Sequence, residues 1–140
     1  PAPPNLVLFP VFAMFLLVAA VLTWMGVSRI GSIFAGTMSI GFYRTYDQGE
    51  EPERLRVITR HFINLFEMPV LFYVVVVFAH ITQQVTFLLV GLAWGYVAIR
   101  YLHAGIHLGG NDVAIRLAAY LSSGLVLLVM WVTLFVRLLG

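Results

Sequence analysis

A chain of 140 residues that is 61% hydrophobic and only 10% charged, with a mean hydropathy of +0.98, lies far from the roughly 25% charged content of soluble domains and reads as one membrane domain. Its eight basic residues are all arginines, so a pI near 9.3 reports a few placed guanidiniums and not a surface for nucleic acid. No cysteine is present, which excludes disulfides and a thiol nucleophile supplied by the protein; thiol chemistry would need a thiol carried by the substrate.

The first expected helix is the uncharged run Leu6–Val27, about 33 Å long at ~1.5 Å per residue and therefore able to span a bilayer. It is too long for a signal-peptide core and no positive segment precedes it, so it is read as a retained helix. A connector over Gly31–Pro52 follows. Glu50-Glu51-Pro52-Glu53 reads as the start of the second helix, with proline in the first turn and acids at the positive end of the dipole. The four helices are expected at about 6–27, 52–81, 83–107 and 113–138, giving an all-α membrane protein with a four-transmembrane-helix bundle.

The second helix carries the most informative pattern. Arg60, Asn64 and Glu67 recur at i, i+4 and i+7, which places them on one helical face. Glu67 lies about 10 Å deeper than Arg60 at the helical rise, at the entry to the apolar run Val70–Phe78. A carboxylate at that depth costs about 2.5–3.5 kcal/mol on insertion scales unless it is paired, and marks a functional site by default. Pro69 removes one backbone donor and deprives the Leu65 carbonyl of its usual partner, so a kink is expected there.

The third helix repeats the theme with Tyr96, Arg100, His103 and His107 in one stripe. Two histidines four apart suit a metal, but no matching acidic or cysteine ligands accompany them, and no metal site is assigned. Gly91 and Gly95 form a GxxxG stretch that lets another helix approach closely. Trp24, Trp94 and Trp131 are read as packing or interface residues. After the glycine break at Gly109-Gly110, Asn111 or Asp112 caps the last helix.

Seven of the eight arginines lie in or beside the two connectors, and only Arg137 lies at the other end. The positive-inside rule then puts both connectors in the cytoplasm and both termini outside it. Arg60, Glu67, Arg100 and Arg116 converge near the cytoplasmic boundary.

Arg60-x-x-x-Asn64-x-x-Glu67-x-Pro69 resembles the signature of the membrane-associated proteins in eicosanoid and glutathione metabolism (MAPEG), and Arg100-Tyr101-Leu-His103-Ala-Gly-Ile-His107 resembles that family's second block in its bacterial form. The resemblance covers nearly the whole chain. It departs from several relatives at Met68, where they carry tyrosine. It implies a four-helix protomer in a bacterial inner membrane, assembled as a homotrimer with glutathione bound between subunits on the cytoplasmic side. Carried over, it implies glutathione contacts by Arg29, Arg60, Asn64, Glu67, Arg100 and Tyr101, with Arg116 facing the thiol as the catalytic cation. That scheme is chemically sensible, because glutathione has two carboxylates and an ammonium, and a cation beside sulfur raises the thiolate fraction.

Two functional classes follow. One is a glutathione transferase or peroxidase acting on lipophilic small molecules that partition into the lipid bilayer. The other is a non-catalytic scaffold or accessory subunit of a larger membrane complex, in which Arg60, Asn64 and Glu67 neutralise one another and hold helices together. Transport ranks behind both, since no broken-helix repeat is visible. The arginine distribution also yields a test of orientation: reporter fusions in the first connector and at the C-terminus are expected to report opposite sides of the membrane, and the same side for both would refute the topology.

Overall fold

The computed structural model describes every residue except Gln48, which lies within the first connector. A 3-10 turn at Pro4–Val7 leads into α1 (Leu8–Phe34), and the short α2 (Phe42–Thr45) sits in the first connector. Helices α3 (Glu53–Asn64), α4 (Met68–Ile81), α5 (Phe87–Leu108) and α6 (Val113–Leu139) follow. Four stretches, Pro4–Phe34, Glu53–Ile81, Phe87–Leu108 and Val113–Leu139, are long and apolar enough to cross a membrane. The chain is an all-α integral membrane protein.

The element ends follow local chemistry. Helix α1 continues past Val27 because nothing in Ser28-Arg29-Ile30 breaks it; it stops before Gly36, whose φ of +78° supplies a left-handed exit. Helix α5 starts at Phe87, later than residue 83, because Gln83 turns through a left-handed φ of 57° and the Thr86 side chain accepts from Leu89 N at 3.1 Å. Of the two candidate caps for the last helix, Asp112 is the one used, accepting from Ile115 N at 3.1 Å. The turn before it depends on Gly109, where a Cβ would stand 2.7 Å from the Gly105 carbonyl oxygen.

Where one kinked helix over 52–81 is expected, the structure has two. Helix α3 ends at Asn64, Leu65–Glu67 form a turn, and α4 restarts with Pro69 in its first turn. Proline lacks a donor and its ring crowds the carbonyl four residues back, so restarting the helix there costs less than threading it through. Glu67 becomes the residue that caps α4, at φ −95° and ψ −98°.

Helix α5 packs against α1, α3 and α6. Its Tyr96 ring stacks on Phe72 of α4 at 4.5 Å with an interplanar angle of 13°, and both side chains are fully buried. Ala79, Ala93, Met14 and Met130 are fully buried in the same core cluster. The N-terminus, the α4–α5 turn and the end of α6 gather at one end, through Ala2 N to Val85 O and Arg137 Nε to Gln84 Oε1, both at 3.1 Å. The first connector and the Gly109–Asp112 turn lie at the opposite end. Gly91 and Gly95 face away from the bundle: beyond their own helix turns, no atom of the described residues lies within 4 Å of where a Cβ would stand. The close neighbour that GxxxG admits is therefore not a helix of the same protomer.

The first connector is tied down by one acid. Glu51 is buried and takes Arg29 at 3.5 Å, while the hydroxyls of Tyr43 and Thr59 each donate to it at 3.2 Å. The Arg29 guanidinium also lies over the Tyr43 ring, 5.1 Å from its centroid. Burial, reinforced by the Glu51 carboxylate, holds the Tyr43 phenol above its ordinary value. A raised folded value means that the contribution of this contact is complete below the unfolded value near pH ~10 and lost as pH rises through the folded one. The melting temperature in detergent is therefore expected to fall more steeply above about pH 10 in the wild type than in Tyr43→Phe; parallel curves would remove Tyr43 from the connector's stability.

Candidate functional site

An open cleft of about 630 Å³ lies between α3 and the start of α6, with the end of α5 as its floor. Arg60, Asn64 and Glu67 line one wall, Arg116 and Tyr120 the other, and His103 and His107 the floor. The volume falls within the roughly 300–1,000 Å³ of small-molecule sites. The break after Asn64 does not scatter the triad: Arg60, Asn64 and Glu67 still open on one space.

Their surroundings differ. Arg60 and Glu67 are exposed, and among the described residues neither side chain makes a hydrogen bond or an ion pair. Asn64 is half-buried and its Oδ1 accepts from Nη2 of Arg100. Arg100 itself has no solvent access, and its Nε and Nη1 find no partner among the described residues. Its guanidinium lies 5.7 Å from the centroid of the Tyr120 ring, the remaining favourable contact on that side. Arg116 is held in place by donating to Asn111 Oδ1 at 2.6 Å. Of the lining cations Arg56 is paired with Glu50 at 2.7 Å, which leaves Arg60 and Arg116 against Glu67; the cleft therefore carries one positive charge in excess and suits a ligand with more carboxylates than ammoniums.

Two of the expected site residues stand elsewhere. Arg29 is engaged with Glu51 and Thr59 at the first connector. The Tyr101 hydroxyl donates to the Ala13 carbonyl at 2.5 Å, which directs it towards α1 and away from the cleft. Arg100 stands behind the cleft wall and reaches the site through Asn64.

A family model, the MAPEG family, matches residues 7–136, nearly the full length of the chain. The chain belongs to the MAPEG family. A comparison with curated proteins returns no match, and neither does one with solved structures. MAPEG membership brings in glutathione transferases and related proteins, and the four-helix architecture agrees with it.

The polar stripe Tyr96, Arg100, His103, His107 of this MAPEG chain is buried throughout and faces the bundle interior. There it meets His61 of α3, which the sequence pattern did not single out. His61 Nδ1 and His107 Nδ1 lie 2.9 Å apart, and the His103 ring stacks on His61 at 5.5 Å. His61 follows Arg60 directly, so it stands about 100° round the helix, on the buried side of α3, and a search for one polar stripe passes over it. Tyr120 had a signal: it stands four residues after Arg116, one turn along the same face. Among the described residues no cluster with metal-binding geometry forms.

The Asn64–Arg100 contact makes a stability prediction. Asn64→Ala leaves a buried guanidinium with a lost acceptor, and is expected to destabilise the protein by about 3 kcal/mol. Arg60→Ala, on the exposed face of the same helix, is expected to change stability by less than about 0.5 kcal/mol. Thermal unfolding of both variants in one detergent checks the difference; equal melting temperatures would contradict it.

Proposed function

We propose that this MAPEG protein binds glutathione in the α3–α6 cleft and uses it as a transferase or peroxidase on lipophilic electrophiles. The observation that carries the reading is the unpaired state of Arg60 and Glu67. A scaffold held by these residues needs them to neutralise each other, yet both carry their charges towards the same open space. A carboxylate and guanidiniums kept apart across a cleft are complementary to a zwitterionic ligand with surplus carboxylate, which describes glutathione. In this reading Arg60 and Arg100, the latter through Asn64, hold the carboxylate end, Glu67 takes the ammonium, and Arg116 faces the sulfur. Arg116 favours the thiolate as a nearby cation, and its bond to Asn111 presents it in one orientation. Ile63, Val113 and Leu117 give the cleft an apolar side on which an acceptor arriving from the bilayer can rest.

The proposal includes assembly. Arg29 and Tyr101 do not reach the cleft within a protomer and both lie against the α1 side, so they join the site only through a neighbouring copy. The outward Gly91 and Gly95 offer such a copy a close seat. A trimer with its sites between subunits, on the cytoplasmic side of a bacterial inner membrane, accommodates all seven residues.

Glutathione at millimolar concentration is expected to raise the melting temperature of the detergent-solubilised protein, since a ligand bound only to the folded state adds RT ln(1 + [L]/Kd). Glu67→Gln is expected to abolish that rise while leaving the free protein as stable as before, because the carboxylate has no partner to lose. Arg116→Ala should keep the rise and lose the ultraviolet thiolate band of the bound complex. No rise in the wild type, together with a destabilised Glu67→Gln, would replace the enzyme with the scaffold.

A further inference from the structure

A thiol that becomes a thiolate gives up its proton, to water or to a positioned base, and among the side chains of the cleft few can serve as that base. Guanidiniums carry no free lone pair and stay charged, so Arg56, Arg60 and Arg116 cannot accept it. Tyr120 is a phenol, and Glu67 is already committed to the ammonium. The neutral nitrogen bases that remain in the lining are His103 and His107.

The two are not equivalent. His107 has its Nδ1 engaged with His61 Nδ1 at 2.9 Å, which leaves Nε2 as the ring nitrogen it can offer to the cleft. His61 is fully buried and reaches no solvent. An Nδ1–Nδ1 contact between neutral rings requires opposite tautomers, one donating and one accepting. With His107 as the donor, its Nε2 is a free base, and His61 is an acceptor that keeps a positive charge on His107 hydrogen-bonded, its own proton then standing on Nε2, which is buried and has no partner among the described residues. His103 stacks on His61 and has no such partner; its Nδ1 is buried and unpaired. His107 also lies on the wall of a second cleft of about 450 Å³ at the connector end, together with Glu53, Arg54 and Asn111. One imidazole thus lines both the site and a second, acid-bearing cleft beside it.

Resting on the glutathione reading above, we propose that His107 Nε2 is the base that takes the proton of the bound thiol, and that His61 is the positioning residue that fixes its tautomer. The S–H bond breaks, an N–H bond forms at His107 Nε2, and the electron pair stays on sulfur. The thiolate then attacks the lipophilic electrophile. In an addition the pair moves on to the acceptor and the proton returns from His107; in a substitution the leaving group departs with its pair and His107 releases the proton to water in the open cleft. The charged and titratable groups facing the pair are Arg60 on α3, Arg100 and His103 on α5, and Arg116 on α6, with Glu53 and Arg54 at the second cleft. Arg116 stabilises the thiolate once formed, and His107 receives the proton; the two roles are separable.

The test uses the full-length protein in detergent with glutathione as the probe, recording thermal stabilisation and the ultraviolet thiolate band at neutral pH. His107→Gln is expected to keep the stabilisation and lower the bound thiolate at least tenfold. His61→Leu, which leaves His107 in place without its acceptor, should lower it in the same direction, and His61→Asn, which restores an oxygen acceptor, should recover most of it. A His107→Gln complex with wild-type thiolate overturns the base assignment while leaving glutathione binding intact. If His107→Gln does not fold, equal thiolate in His61→Leu and the wild type overturns it instead. A wild type that glutathione does not stabilise overturns the glutathione reading itself, and this proposal with it.

Discussion

A guanidinium sealed inside a membrane-spanning bundle has to be held by the protein, because neither lipid nor water can solvate it there. Arg100 is that group, and its bond to Asn64 ties the floor helix α5 to the last turn of α3. The bond fixes the depth of α3 in the bundle. Above it, Arg60 looks out onto the cleft. Below it the chain has to turn at Leu65–Glu67 before Pro69 lets a helix resume. The stacked His61 and His103 rings occupy the layer next to it, between the same two helices.

Holding α3 at one depth gives the site its shape. Irregular backbone at membrane depth is tolerated where it borders a cavity or is buried in protein, and Leu65–Glu67 satisfies this by bordering the cleft. The opposite wall is set by the Gly109–Asp112 turn, whose glycine allows a tight approach to Gly105, whose Asp112 caps α6, and whose Asn111 steers Arg116. Two short breaks in regular structure, each with a sequence cause, therefore face each other across the ligand space.

Much of this was legible in the sequence. Hydropathy and length marked four spans, Asp112 was one of two named caps, and Arg60, Asn64, Glu67 and Arg116 do meet in one place. What was hidden came from distance along the chain. Pro69 announced a disturbance, but whether a helix kinks or stops depends on what lies beside it, and that is a tertiary fact. His61 could not be chosen because its partner lies 46 residues away and its own helix turns it out of the motif's stripe to the buried side. Arg29 and Tyr101 are basic and aromatic residues at sensible positions, yet sequence spacing does not say that one is drawn to Glu51 and the other to Ala13.

The two central arginines of the motif region show why residue type alone underdetermines role. Arg100 is buried, half-satisfied and bound to a neutral amide; it acts on the site by positioning Asn64 and by its field. Arg60 is exposed and has no partner among the described residues, which suits direct contact with a carboxylate. Exchanging their environments would fail on both counts: a mobile ligand contact would be immobilised, and a structural cation would be lost to water. The two roles stay separate because, with Arg56 paired to Glu50, the cleft still sets Arg60 and Arg116 against Glu67 alone. A bundle built to be stable without a ligand would close that balance internally, as Glu51 does for Arg29 at the first connector. The same chain thus contains a closed charge cluster at its connector and an open one in its cleft, and the contrast between them is the physical argument for a binding site at Arg60, Asn64, Glu67 and Arg116.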